Sequence, residues 1–183
     1  PYARVKAMPE IETIPELWVL GSSDASAKYA AELGWSFCFA HFINPIGGVE
    51  AMRAYRQRFE ASPFLDAPRG ILAISATVAD TAEEAERLSW SRWCWRIAGP
   101  RGGIKGIPSV EEAMAFDYTP AEREYIEFMR GDSIHGDPAT VKARITALAA
   151  EYEVDEVMVV TITHDFAARV RSYELLAAAF ELG

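Results

Sequence analysis

LWVLGSSDASAKYAAELG, Leu17 to Gly34, changes character in its middle. An apolar run ends at Gly21, two serines and an aspartate follow, and an alanine-rich segment begins at Ala25. The order is that of a buried strand, a tight turn and an amphipathic helix. Ala27, Ala30 and Ala31 share one helical face, and Gly34 supplies the left-handed residue that closes it. Two readings fit Gly21-Ser22-Ser23. In one, Ser23 or Asp24 caps the helix. In the other, the free N–H groups and positive dipole end of the helix, with the Ser22, Ser23 and Ser26 hydroxyls, seat a phosphate. Asp24 weighs against an anion there. On these residues alone both readings stay open.

The same alternation recurs along the chain. Short apolar runs lie at Leu17–Leu20, Phe37–Phe42, Ile71–Ala79 and Val157–Ile162. They are β-branched or aromatic and lack period-two alternation, as in strands covered on both faces of a parallel sheet. Amphipathic segments separate them. Val49, Met52, Arg56 and Phe59 follow helical spacing, and Thr81 with Glu84 reads as a capping box. Asp137 before Pro138 reads as an N-cap with proline at the first helical position, and Val141, Ile145 and Leu148 line one face. Asp165 caps a last helix carrying Val170, Leu175 and Ala179. Strand and helix thus alternate four times, which is the α/β class. The stretch from Asp80 to Val154 is far longer than one crossover and predicts at least two extra helices. Within it, GPRGGIKGIP, residues 99–108, is either a plain surface loop or a mobile lid.

The chain has 183 residues, 18 basic against 27 acidic, and a net charge of -9. That is one domain, 1–183, with room for a substantial core. The acidic balance argues against nucleic-acid binding, and no run of about 18 apolar residues predicts a membrane span. Cys38 and Cys94 form no CxxC pair and read as buried reduced thiols of a cytoplasmic protein. The chain opens PYARVKAMPE without an initiator methionine, which suggests a piece of something longer.

His41, His135 and His164 show no metal-ligand spacing. His135 and His164 read as surface or capping residues. His41 sits at a strand's C-terminal end, where α/β proteins gather ligands. No GxSxG, GxGxxG or GxxxxGK[ST] occurs. Trp90, Trp93 and Trp95 in SWSRWCWR predict helix packing or a subunit contact.

LWVLGSSDASAKYAAELGWSFCFAHF, followed by HGDPATVKARITALAAEYEVDEVMVVTITHDFAARVRSYELLAAAF, resembles the second half of luciferase-like flavin-dependent monooxygenases. The resemblance runs from about Pro15 to Phe180. It implies the last four strand-helix units of a TIM-barrel-like (β/α)8 barrel, a half-barrel whose first four units are absent. It also implies that Leu20 and Gly21 lie beside the flavin, and that Ser22, Ser23 and Ser26 contact its phosphate. Ala40 and His41 would line the flavin ring, and 99–108 would be a mobile active-site loop. The implied cofactor is FMN and the implied activity is oxidation of a small organic substrate with O2. The catalytic residues would belong to the absent half. Two alternatives stand beside this reading. One is a coenzyme F420-dependent oxidoreductase of the same fold, and the other is a non-catalytic flavin- or phosphate-binding module. An uncovered half-barrel also predicts a homodimer, or pairing with the missing N-terminal half.

Overall fold

The computed structural model describes residues 15–102 and 106–182, with Met8 and Thr13 as isolated positions. Its strands are β1 (Trp18–Gly21), β2 (Ser36–Ala40), β3 (Gly70–Val78), β4 (Ile134–Gly136) and β5 (Val157–Val160). The helices are α1 (Asp24–Leu33), α2 (Gly48–Arg58), α3 (Ala82–Ala98), α4 (Val110–Ala115), α5 (Pro120–Asp132), α6 (Pro138–Tyr152) and α7 (Phe166–Ala179). Every named strand pairing is parallel. β1 pairs β2, β2 pairs β3, and β3 pairs β5, so the four expected strands lie adjacent in the expected order.

Strand β4 is the departure from the four-unit reading. It lies against Ala76–Val78 at the C-terminal end of β3. With three residues and a single apolar side chain, it has no periodicity to detect. His135, expected as a surface or capping residue, stands instead half-buried in this strand, with its ring edge-on to Trp93 at 5.6 Å between centroids.

The sheet's two faces differ. Phe37, Phe39, Leu72, Ile74, Ala76 and Val78 pack in one cluster with Ala27, Ala30 and Ala31 of α1, Met52 and Tyr55 of α2, Val141 and Ile145 of α6, and Leu176 of α7. Alternate residues of the same strands point the other way. Cys38, Ile71 and Ala73 there form a small cluster with Trp18 and Phe42. Leu20 and Met158 on this face are 58% and 55% exposed. One face is thus buried under helices, while the other keeps large apolar side chains in solvent.

Local signals set the helix ends. Gly34 adopts φ 60°, the left-handed cap that glycine occupies without a Cβ penalty. The Asp137 side chain accepts from Thr140 N–H at 3.0 Å, and Asp165 accepts from Ala168 N–H at 2.6 Å. Thr81 caps α3 by accepting from Glu84 N–H at 3.2 Å, but the box is not closed: Glu84 accepts from Arg87 instead. Phe59 falls just past the end of α2 in extended conformation.

The long segment after β3 builds a second core. Trp93 and Cys94 of α3 are fully buried with Ala113 of α4, Tyr118, and Ile126 and Met129 of α5. Trp90 meets Trp93 edge-on at 5.5 Å. Trp93 is therefore internal packing and unavailable to a subunit contact, whereas Trp95 stays 38% exposed. Both cysteines are free and buried, and burial pushes the Cys38 thiol up to about 11. Among the described residues no helix is long and apolar enough to cross a membrane.

Candidate functional site

Parallel pairing brings all strand C-termini to one edge. Gly21 is the last residue of β1 and lies opposite Phe39, with Ala40 and His41 immediately beyond. The polar turn of the first strand and the histidine of the second therefore share that edge.

The turn is tightly built. Ser23 is the N-cap of α1, its Oγ accepting from Ser26 N–H at 3.5 Å, while Ser23 N–H donates to Ser26 Oγ at 3.3 Å. Ser26 Oγ in turn donates to Ser23 O at 2.7 Å. Gly21 is dictated by this arrangement: a Cβ there would stand 2.2 Å from both Cβ and Oγ of Ser26. The capping reading is thus realised in the fold. It leaves the amides of Asp24 and Ala25 in the first helical turn without intrahelical acceptors. The hydroxyl of half-buried Ser22 makes no hydrogen bond among the described residues. Leu20 lies on the open face, and Asp24 is exposed at the start of the helix.

Ala40 is fully buried opposite Ala73 of β3. His41 is half-buried, its ring edge-on to Tyr152 at 5.9 Å. Burial holds its imidazole below the ordinary value of 6.5, against the opposing pull of Asp132 and Glu151. A neutral ring at that position can donate or accept one hydrogen bond.

His41 opens onto a cavity of about 200 Å³, shared with Ser75, Arg92, Arg96, Tyr125 and Asp132. A second cavity of about 550 Å³ adjoins it, lined by Phe42, Ile43, Trp95, Pro100 and Ile162 besides the same two arginines. The serines of the α1 turn line neither cavity. The structure therefore places the expected residues on one edge but in two groups, Gly21 to Ser26 and Ala40 to His41.

Arg92 and Arg96 escape a reading based on chemistry-bearing motifs. Their spacing of one helical turn in SWSRWCWR is the signal that marks them, hidden by the tryptophans around it. His164 Nδ1 lies 2.8 Å from the Ile107 carbonyl oxygen, linking the segment after β5 to the end of the 99–108 loop. Residues 103–105 of that loop fall outside the described residues. No group of three or more metal-ligating side chains occurs among the described residues.

A parallel sheet with a serine-capped helix mouth and a histidine at its C-terminal edge fits a ligand-binding barrel half. Residues 2–156 match the family model of luciferase-like monooxygenases, and the chain belongs to that family. It is similar to YceB of Bacillus subtilis (strain 168), 42% identical over 98% of this chain and 54% of that protein. A luciferase-like monooxygenase of Escherichia coli (strain K12) is 32% identical over 96% of this chain and 52% of its own length. The chain thus spans about half the length of the curated relatives it matches. Among solved structures, apo-MsnO8 superposes with a TM-score of 0.83 at 34% identity, covering 96% of this chain and 54% of that one. Two more distant matches share the fold. The oxygenating constituent of 3,6-diketocamphane monooxygenase from Pseudomonas putida, in complex with FMN, has TM-score 0.56 and 22% identity, covering 88% of this chain and 47% of its own. The coenzyme F420-dependent tetrahydromethanopterin reductase of Methanopyrus kandleri has TM-score 0.54 and 18% identity, covering 88% and 48%.

Proposed function

We propose that residues 1–183 form one unit, the flavin-phosphate-binding half of an FMN-dependent monooxygenase that oxidises a small organic substrate with O2. The observation that carries this is the Gly21–Ser26 turn. A glycine stripped of Cβ, two helix amides without intrahelical acceptors and the Ser22 hydroxyl converge at a helix N-terminus on the C-terminal edge of the sheet. That donor set fits a phosphate. Ser22, Ser23 and Ser26 would hold it, Leu20 and Gly21 would lie along the flavin, and Ala40 and His41 would line its ring. Asp24 must turn its exposed carboxylate away, and solvent around it lowers the cost of doing so.

Bound flavin would supply the redox chemistry with dioxygen, as in the family. The chain's own share is to fix the phosphate, shape the ring wall with the small Ala40, and hold a neutral imidazole at His41. The open face carrying Leu20 and Met158 would be covered by an N-terminal half-barrel or a second copy of the chain. The 99–108 segment would serve as the loop over the site, in a cytoplasmic enzyme.

Coenzyme F420 is the second reading, favoured by the fold match to an F420-dependent reductase. Titrating the protein that carries both barrel halves with FMN and with F420, followed by cofactor fluorescence, separates the two. Oxygen consumption with reduced FMN then tests monooxygenation. Quenching by F420 alone, without oxygen uptake, would replace the first reading by the second. Binding of FMN without oxygen uptake would leave a non-catalytic module.

A further inference from the structure

Arg92 and Arg96 are paired in an unusual way. Arg92 Nη2 donates to the Phe42 carbonyl at 3.2 Å, and Arg96 Nη1 donates to the same oxygen at 2.6 Å. Arg96 Nη2 also donates to Ile43 O at 3.2 Å. Two guanidiniums thus meet on one carbonyl. Among the described residues neither makes an ion pair with a carboxylate, although the chain's other arginines do so repeatedly. Asp132 shares the smaller cavity and its carboxylate pulls on Arg92 in part, without forming an ion pair with it among the described residues. Arg92 is only 8% exposed, and its burial and its cationic neighbour push the guanidinium down to about 10. The three carbonyl bonds occupy a minority of the N–H donors that two guanidiniums carry.

A buried guanidinium with a second, half-buried one beside it costs free energy to the extent that no anion offsets the pair. The neighbouring space shows what shape that anion takes. The larger cavity, about 550 Å³, has the arginines at one side and Phe42, Ile43, Trp95, Pro100 and Ile162 around the rest, with no carboxylate in its lining. Its volume suits a small organic molecule, and its walls suit an apolar one.

We propose that Arg92 and Arg96 form the anion-recognition element of the substrate pocket, selecting a small organic acid whose carboxylate or sulfonate meets the guanidiniums. The acid's apolar body lies along Trp95 and Ile162. Planar guanidiniums match the two or three oxygens of such a head group in geometry as well as charge. This rests on the monooxygenase reading for calling the ligand a substrate, but the site itself stands on the arginines and the cavity.

The test is calorimetric titration of the full chain with octanoate and with octanamide, its neutral counterpart of similar shape. Octanoate is expected to bind at least tenfold more tightly than octanamide. Arg96→Gln should erase that preference by weakening octanoate alone, and Arg96→Lys should restore part of it. Equal affinity for the two probes in the unaltered chain, or no octanoate binding, overturns the proposal even if Arg96→Gln fails to fold. Competition between FMN and octanoate would assign the arginines to the cofactor's phosphate and also overturn it. Octanoate binding without FMN binding would leave the anion site standing and count against the flavin reading alone.

Discussion

A Cβ on Gly21 would lie 2.2 Å from Oγ and from Cβ of Ser26. The strand end and the first turn of α1 are thus packed with no room between them, and the serine that closes the helix mouth is also the residue that fixes glycine five positions earlier. Gly21→Ala must push α1 outward or tilt it. Overpacking of this kind costs about 1–3 kcal/mol, a fall of several degrees in Tm for a chain of this size. Because Ser26 Cβ is as close as its Oγ, Ser26→Ala should not rescue Gly21→Ala, whereas Ser26→Gly should do so in part. Thermal melting of the three proteins checks this.

Glu153 ends α6 with φ 54°, a left-handed conformation in a residue with a Cβ. Arg56 Nη2 donates to the carbonyls of Tyr152 and Glu153 at 2.8 and 2.6 Å, which holds the turn in place. Glycine at this position would relieve about 1 kcal/mol of backbone strain. The Glu153 ion pairs with Arg53 and Arg56, at 3.8 and 3.9 Å with the carboxylate 61% exposed, offset less than that. Glu153→Gly is therefore expected to raise stability in urea denaturation, and Glu153→Ala, which keeps the strain and loses the pairs, to lower it.

His41 and His135 are both held below the ordinary 6.5, in each case chiefly by burial. The folded chain thus binds protons less readily than the unfolded one. Stability is full above about pH 6.5 and falls as pH drops below it, until the folded-state values are passed. Melting temperature should be level between about pH 7 and 8 and decline toward about pH 5. In the His41→Asn, His135→Asn double variant that decline should flatten. The carboxylates Asp80 and Asp137, held low by Arg171 and by the α6 amides respectively, lose their contribution only at more acid pH.

Asp137 accepts from both Thr140 N–H at 3.0 Å and Thr140 Oγ1 at 2.9 Å, at the mouth of the helix that packs Val141 and Ile145 into the main core. Asp137→Ala should cost about 1 kcal/mol, the usual worth of an N-cap, and Asp137→Ser much less. Equal losses in the two variants would show that the carboxylate acts through charge and not through capping.

The parts of the fold that were legible in the sequence are those with local causes. Gly34, Asp137, Pro138 and Asp165 announce helix ends through backbone geometry or hydrogen bonding within a few residues. The continuous runs at Phe37 and Ile71 announce strands covered by helices. One feature was not legible because its cause is distant: strand β4 exists only because Ala76–Val78 offers it an edge. The SWSRWCWR aromatics announced packing, and the folding of α4 and α5 over Trp93 decides that its share is internal. The site divides the same way. Gly21, Ser23 and Ser26 were visible as a turn because their partners are neighbours in sequence. The meeting of Arg92 and Arg96 on the Phe42 carbonyl joins residues 50 positions apart, and no local pattern records it.

The central claim, that the Gly21–Ser26 turn seats a phosphate as well as capping a helix, is tested most directly by Ser23→Asp. Aspartate caps a helix about as well as serine, so α1 and the Tm should be preserved. Its negative charge, however, would face the anion, and it removes a hydroxyl donor. In the protein carrying both barrel halves, FMN affinity should fall by at least about tenfold, the scale of one lost charge-assisted hydrogen bond. Riboflavin, which has no phosphate, should bind as before. An unchanged FMN affinity, or an equal loss for both flavins, would contradict the account and leave the turn as a helix cap alone.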